Sequence, residues 1–355
     1  MSQTPPTFVS LYSGAGGLDL GFLRAGFEPL WANDFDATAA ETYRQNIGDH
    51  IVAGPIEDQD WPSEGSASFV IGGPPCQGFS VAGHLDPRDP RSKHVSVFFD
   101  VVERVRPEGF VMENVKNLAV NARWAGLRRD LISRAEDLGF SVRLCVLNAS
   151  HFGVPQARER MFLIGLRGAR PAEPEATTQD SPPSVRSALS KLPPYGQPGN
   201  GSVCTARVTP AKRPVMRRSP FAGMLFNGKG RALNLLAPAS TLPASMGGNR
   251  TPVIDQVQVE EGGACWIEEY HAHLSDGGEP IDSIPPRMRR LTVEEAAAIQ
   301  TFPTGWRFSG TQSAQFRQIG NAVPPELAFH VAKAVKAAIR RRDRATAAEP
   351  VLVAA

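Results

Sequence analysis

In GGPPCQGFS (72–80) one of the chain's four cysteines, Cys76, stands behind two glycines and two prolines. A thiol that only fills a turn needs no such punctuation, whereas a thiol presented to a reactant does. With an ordinary pKa of about 8.5, cysteine becomes a useful nucleophile once a neighbouring cation or helix N-terminus favours the thiolate. FVMENV (110–115) places Glu113 and Asn114 directly after an apolar run. Burial there raises a carboxylic acid and lets it donate a proton near neutrality. QARER (156–160) adds Arg158 and Arg160 at alternate positions of an extended segment, a spacing that can clamp a phosphate and a carbonyl oxygen. YSGAGGLDLG (12–21) sets glycines between a strand and a helix, which exposes backbone N–H groups to a ligand. Asp34, 20 residues after Gly14, ends the next apolar run, where an acid can bind ribose hydroxyls. That pairing fits a dinucleotide enzyme as well as an S-adenosylmethionine enzyme. The loop has no Gly-Lys-Ser/Thr, so a triphosphate P-loop is excluded.

Strands must carry these groups to one place. The pattern predicts a strand at Phe8–Tyr12 and a helix from Leu18 to Ala25, stopped by Gly26. A buried strand follows at Phe69–Ile71. Phe98, Val101, Val102 and Val105 then fall at i, i+3, i+4 and i+7 of a helix. Phe110–Met112 is another strand, and a helix follows around Leu127, Leu131 and Leu138. Phe140, Val142, Leu144 and Val146 alternate as a strand, and Met161–Leu166 forms the last one. Strands alternating with helices imply an α/β fold, a doubly wound and mostly parallel sheet. Ligands of such sheets bind at the strand ends, where Cys76, Glu113 and Asp34 lie.

The texture changes near residue 170, with ten prolines between 171 and 220. A catalytic domain over 1–177 plus 303–340 is expected, with a smaller, loop-rich domain over 178–302. At their junction RRLTVEEAAAIQTFP carries a capping box, Thr292 with Glu295. The last helix follows GNAVPPE with Leu327, Val331, Val335 and Ala338 inward, and 341–355 reads as a frayed tail.

A chain of 355 residues can bury a full core, and no apolar run approaches the roughly 18 residues of a membrane span. The N-terminus lacks a secretory pattern, and the four cysteines contain no C-x-x-C, so a reducing, cytoplasmic setting is expected. His271 and His273 lack a third ligand in sequence, and no metal is expected. Net charge is only +2, yet residues 181–250 hold ten Lys and Arg and no acid. So local an imbalance points to a polyanion-binding surface.

The order SGAGG, PPCQGFS, MENV, QARER, a variable basic region, RRLTVEEAAAIQTFP and GNAVPP closely resembles the C5-cytosine DNA methyltransferases of bacterial restriction-modification type. The resemblance covers about 8–170 and 288–340, and leaves the middle as the target-recognition region. It implies an S-adenosylmethionine-dependent methyltransferase fold acting on double-stranded DNA at a flipped-out cytosine. Cys76 would attack C6, Glu113 would bind N3 and the exocyclic amine, and Arg160 would hold O2. Arg158 would serve nearby phosphate and Cys76 positioning. Tyr12, Ser13, Gly14, Ala15, Gly16 and Gly17 would line the methionine part of the cofactor, with Leu18 and Pro75 beside them. Asp34 would take the ribose, Phe35 the adenine, and Asn321 and Val323 would close the pocket. Gln77, Ser80, Arg88, Arg91 and Lys93 would meet DNA from the segment after the thiol. STLPASMGGNR resembles the family's Thr-Leu element, so Thr241, Leu242, Asn249 and Arg250 are expected to read bases, arginine to guanine being the commonest specific contact.

Two positions depart from the family pattern. Tyr12 stands where Phe is usual, and Pro55 stands in VAGPIED where many members place an Asp for the adenine amine, leaving Glu57 or Asp58 to reach instead. A tRNA cytosine-5 methyltransferase shares the chemistry; the long basic region favours duplex DNA. A catalytically dead DNA-binding module is at odds with intact Cys76, Glu113, Arg158 and Arg160. A nicotinamide oxidoreductase leaves PPCQ and ENV idle. A monomer is expected, with a restriction endonuclease of the same site as functional partner and no membrane association.

Overall fold

Strands buried on both faces must be apolar almost throughout, and the N-terminal runs meet that demand. The computed structural model describes residues 4–75 and 93–348. Among them the chain forms β1 (Thr7–Leu11), β2 (Glu28–Asp34), β3 (Ile51–Ala53), β4 (Phe69–Gly72), β5 (Gly109–Val115), β6 (Ser141–Asn148), β7 (Gln156–Ala157) and β8 (Glu159–Leu166). Seven of these make one sheet in the order β3-β2-β1-β4-β5-β8-β6. The first five run parallel, while β8 is antiparallel to both β5 and β6. The chain leaves β1 in one direction and returns to its other side at β4, which opens a crevice at the carboxyl ends of those two strands.

Helices α1 (Gly17–Arg24), α2 (Ala37–Asn46), α3 (His94–Val105), α4 (Lys116–Val120) and α5 (Ala125–Asp137) connect the strands. The two-residue period of a strand sends alternate side chains to opposite layers. Phe8 and Phe69 join Phe22 of α1 and Phe27 in an aromatic chain with centroid separations of 5.9, 5.1 and 5.4 Å. Val9, Leu11 and Val70 enter the other layer with Val101, Val102 and Val105 of α3 and Leu131 of α5. Each fully buried side chain of this size contributes about 1.5–3 kcal/mol.

The expected α/β architecture is present, and the differences have local causes. β1 stops at Leu11 because Tyr12 turns into the left-handed region at φ +56°. In β6 the alternation serves two layers: Cys145 and Leu147 are buried, while Val142 and Leu144 pack against the main core. The expected frayed tail is instead helical to Ala348. Arg342 anchors it on Glu108 at 2.8 Å, an ion pair that a run of charged residues conceals.

The chain divides into two compact units, one of Met1–Asn148, Glu159–Ala176 and Pro325–Ala355, the other of Ala149–Arg158 and Thr177–Pro324. The second is rich in loops but has its own core. It contains α6 (Val185–Leu189), an antiparallel pair of β9 (Pro210–Val215) and β10 (Met224–Phe226), and β11 (Ala239–Ser240) beside β7. β12 (Val253–Asp255) pairs with β13 (Met288–Arg290); α7 (Gln256–Glu260) and α8 (Trp266–Ser275) lie between them in the chain. Phe226, Val253, Ile267, Tyr270 and Met288 form the core. α9 (Val293–Ile299) starts on the predicted capping box, and α10 (Gln312–Asn321) follows. In the first unit α11 (Pro325–Ala348) closes the chain against α1. His271 and His273 each bond a backbone carbonyl, of Arg217 and Glu279.

The first half of GGPPC has a packing reason. A Cβ on Gly72 would stand 2.5 Å from the carbonyl oxygen of Leu11 in the neighbouring strand, a backbone atom that cannot yield. Gly72→Ala is expected to destabilise the protein by about 1–3 kcal/mol in chemical denaturation. Gly126→Ala, on an open helical position, should stabilise it by roughly 0.5–1 kcal/mol.

Candidate active site

Five strand ends meet at one edge of the sheet. β1 delivers Tyr12 and Ser13, β2 delivers Asp34 and Phe35, β4 leads into Gly73–Pro75, and β5 ends with Glu113 and Asn114. β8, being antiparallel, begins where its parallel neighbour ends, so Arg160 arrives at the same edge. The register sets Glu113 opposite Phe162, and Arg160, two residues earlier, shares that face. The guanidinium Nε donates to Glu113 Oε1 at 2.9 Å, with the two side chains only 15% and 11% exposed. A neighbouring guanidinium stabilises a carboxylate over the acid. The sequence expectation of an acid kept protonated by burial therefore omits its partner. Glu159, between the arginines, pairs instead with Lys116 at 2.8 Å.

Asn114 fixes the approach to the thiol. Its buried amide donates to the carbonyl of Pro74 at 3.1 Å, two residues before Cys76, and a Cβ on Gly73 would press on Glu113 Oε2. The last described residue of this arm is Pro75; Cys76, Gln77, Ser80, Arg88 and Arg91 lie outside the described residues. Lys93 is exposed at the start of α3.

The glycine loop lies at the end of β1. Gly14 and Gly16 take φ of +56° and +82°, and Ala15 and Leu18 are buried around the turn that leads through Gly17 into α1. Gly14 N–H donates to Asp34 Oδ2 at 2.7 Å, and Asp36 N–H donates to Oδ1 at 2.8 Å. Burial nevertheless pushes the Asp34 carboxyl up to about 6, with repulsion from Asp36 adding to it. Next to it Phe35 is 75% exposed, a phenyl ring left in water at a ligand-binding edge. Such a ring together with a buried carboxylate fits the adenosine part of S-adenosylmethionine.

Tyr12 was expected as a simple aromatic lining residue, and the structure gives it a polar attachment. Its hydroxyl lies 3.3 Å from His94 Nδ1 and donates to the His94 carbonyl at 3.3 Å. His94 in turn faces Glu57 Oε1 at 3.4 Å. Burial, then the charges of Glu57 and Asp100, push the Tyr12 hydroxyl far above its ordinary range. Glu57, one of two candidates to replace the acid missing at Pro55, is thus engaged by His94, a residue with no signal in the sequence.

Arg158 has a different fate from Arg160. It is 1% exposed in the second unit and donates to the carbonyls of Leu242 at 3.3 Å and Gly320 at 2.9 Å. These bonds tie two segments of the second unit together, and Arg158 precedes β8 and so lies off that strand's alternation; its expected service to Cys76 falls on a residue outside the described ones. Leu242 is likewise 1% exposed, with its N–H on Gln156 Oε1 at 2.9 Å, so it anchors the Thr-Leu element and does not reach a groove. Thr241 is exposed but bonds the Ala157 carbonyl at 3.2 Å. Asn249 and Arg250 are exposed on a short turn. Asn321 is exposed at the end of α10, and Val323 is buried. Gln300, also missed, joins Gln156 at 2.5 Å to the Ala322 carbonyl at 2.6 Å.

The family model for C-5 cytosine-specific DNA methylase matches residues 6–337. The chain belongs to the C-5 cytosine-specific DNA methylase family. It is 32% identical over 351 residues to the type II methyltransferase M1.HphI of Haemophilus parahaemolyticus, covering 93% of this chain and 86% of the relative. It is 30% identical to the type II methyltransferase M.FnuDI of Fusobacterium nucleatum, covering 95% and 96%. Among solved structures, the Entamoeba histolytica methyltransferase EhMeth superimposes with a TM-score of 0.68 at 13% identity, over 95% of this chain and 99% of the other. The Dnmt2 methyltransferase of S. pombe gives 0.63 at 15% identity, over 95% and 99%. These two show a shared fold. As a C-5 cytosine methylase the chain is an S-adenosylmethionine-dependent enzyme acting on DNA.

A ligand hydroxyl donates a stronger bond to a carboxylate than to a neutral acid. With Asp34 titrating near 6, affinity for S-adenosylmethionine should be flat above pH 7 and fall as pH drops through 6 to 5. Equilibrium binding across that range checks it; an unchanged affinity at pH 5 would remove Asp34 from the site.

Proposed function

We propose that this methylase transfers a methyl group to C5 of a cytosine flipped out of a specific duplex DNA sequence, through a covalent bond between Cys76 Sγ and C6. The observation that carries the reading is the buried Glu113–Arg160 pair, placed beside the arm that Asn114 ties down two residues before Cys76. Attack of the thiolate at C6 forms the S–C6 bond at the expense of the C5–C6 π bond, which ends the ring's aromaticity and makes C5 nucleophilic. The ring then needs a proton at N3 and a donor at O2. Arg160, moving from Glu113 to O2, removes the cation that favours the carboxylate, so that Glu113 takes up a proton from solvent, gives it to N3 and accepts from the exocyclic amine with its other oxygen.

S-adenosylmethionine, when bound, supplies an electrophilic methyl group on a sulfonium. Tyr12 through Leu18, Asp34, Phe35 and Pro75 would hold it, and the family resemblance adds Asn321 and Val323. After transfer, loss of the C5 proton and elimination of Cys76 restore the ring and release the enzyme. Flipping costs a few kcal/mol of stacking and pairing, which basic contacts to phosphate from Arg88, Arg91 and Lys93 would offset. In the second unit, exposed Asn249 and Arg250 are the base-reading candidates, held by the buried Arg158–Leu242 anchor. The type II relatives support a partner endonuclease that cuts the same unmethylated site.

Duplex DNA containing 5-fluorocytosine, which blocks loss of the C5 proton, should trap a covalent adduct when incubated with the enzyme and S-adenosylmethionine. Cys76→Ser should abolish it, and Glu113→Gln should reduce its rate by about 10²–10⁴-fold. Adduct on tRNA with none on any duplex would overturn the DNA reading. Bisulfite sequencing of DNA from expressing cells reads out the site.

A further inference from the structure

Asp19 is fully buried in the first turn of α1, in the run LDLGFL that otherwise faces the core. Its Oδ2 accepts from Ser10 Oγ at 2.5 Å, and Ser10 Oγ in turn accepts from Ser13 Oγ at 2.9 Å. Ser13 is the first residue of SGAGG, and its own N–H is fixed on the Asn33 carbonyl at 3.0 Å. A three-member hydrogen-bond chain therefore runs from a buried carboxyl to the loop assigned above to the methyl donor. No step of the proposed chemistry uses it.

The chain has two self-consistent polarities. With Asp19 ionised, Ser10 donates to the carboxylate and Ser13 donates to Ser10. With Asp19 neutral, the carboxyl donates to Ser10, Ser10 donates to Ser13, and the Ser13 proton needs another acceptor. Two are already in place: the carbonyls of Ser10 and Asn33 lie 3.1 and 3.2 Å from Ser13 Oγ. Along this Ser10–Ser13 chain either polarity is met by groups already in place, while the other carboxyl oxygen, Oδ1, is buried without a hydrogen-bond partner among the described residues.

The surroundings set the two states near balance. The groups facing Asp19 are Ser10 and Ser13 from β1, Tyr43 from α2 and, through space, Asp34 from the end of β2. Burial and the Asp34 charge favour the neutral acid, while the Ser10 and Tyr43 hydroxyls favour the carboxylate; the outcome is a carboxyl pushed up to about 7. The Tyr43 hydroxyl also lies 2.9 Å from His50 Nε2, which gives a route for the proton toward the partly exposed edge of the sheet. The Tyr43 ring packs against Gly16, so the glycine loop rests directly on this network.

The methyl donor is a cation and the spent product an uncharged thioether, and only charge and one methyl distinguish them. We infer that Asp19 is a charge-reading positioning residue: acting through Ser10 and Ser13, it is ionised when the sulfonium occupies the loop and neutral when the thioether does. This rests on the reading of SGAGG as the donor site. Donor binding then expels a proton from Asp19 to solvent, and replacement of the donor by the thioether takes one back. The device favours substrate over product.

Calorimetry of the full-length enzyme with S-adenosylmethionine and with S-adenosylhomocysteine, in buffers of different ionisation enthalpy between about pH 6 and 8, tests this. The wild type should release more protons with the sulfonium than with the thioether at pH 7. The preference for the sulfonium should grow by about tenfold across the range, the factor for a one-unit difference in the carboxyl's pKa between the two complexes. Asp34 contributes equally to both ligands through the shared ribose, so the ratio isolates Asp19. Asp19→Asn, checked for folding by its melting transition, should bind both ligands with no difference in proton release and a ratio independent of pH. A flat ratio in the wild type, or an unchanged slope in Asp19→Asn, overturns the inference while leaving the donor site standing. Should Asp19→Asn not fold, equal proton release in the wild type overturns it alone. Failure of both ligands to bind would sink the donor-site reading and this inference with it.

Discussion

A buried carboxylate needs a buried cation, and the pairing of Glu113 with Arg160 is the constraint around which the site is built. Removing either partner strands a charge in a low-dielectric edge, at a cost of about 3–5 kcal/mol. The pair requires an antiparallel strand beside β5, because only a strand that starts at this edge can offer its second residue there. The reversed direction of β8 in an otherwise parallel neighbourhood therefore has a chemical consequence. It brings Arg160 onto Glu113, the contact on which the proposed hand-over to a carbonyl oxygen of the substrate rests.

The same five-residue stretch solves a second problem. QARER spans the passage between the two compact units, with Arg158 in one and Arg160 in the other. Arg158 has its guanidinium among carbonyls, and Gln156 bonds both Leu242 and Gln300. The element expected to read bases is therefore fastened by groups adjacent in sequence to Arg160. Asn249 and Arg250, the proposed base readers, stay exposed, whereas Arg158 and Leu242 are buried as anchors.

How much of this was legible varies with the physics involved. The α/β alternation, the strand ends and the capping box at Thr292 follow from periodicity and spacing, which are local. The fate of Arg158 was not legible, since two arginines at alternate positions look equivalent until one knows where β8 begins. Leu242 and Arg342 failed for a related reason: burial and ion pairing with residues far away in sequence leave no local mark. His94 carries no pattern at all. Asp19 did leave one, a lone acid on the inward stripe three residues before Phe22, and such a misfit on an apolar face signals a buried network.

The edge that carries the glycine loop is also under electrostatic stress. Asp19 and Asp34 are both buried there, each raised by desolvation, and Asp34 raises Asp19 further. In the folded state both acids hold protons that the unfolded chain has released, since their pKa values lie above the ordinary 3.8. Their contribution to stability is thus greatest at low pH and is lost as pH rises through about 6 and then 7. A fold under selection for stability alone would replace them with neutral groups. On the donor-site reading a cation brought to this edge would favour the Asp19 carboxylate, while Asp34 would answer the ribose that donor and product share. If the glycine loop takes the methyl donor as proposed, the cost of the Asp19 charge is returned as affinity for a cationic ligand and not for an uncharged product.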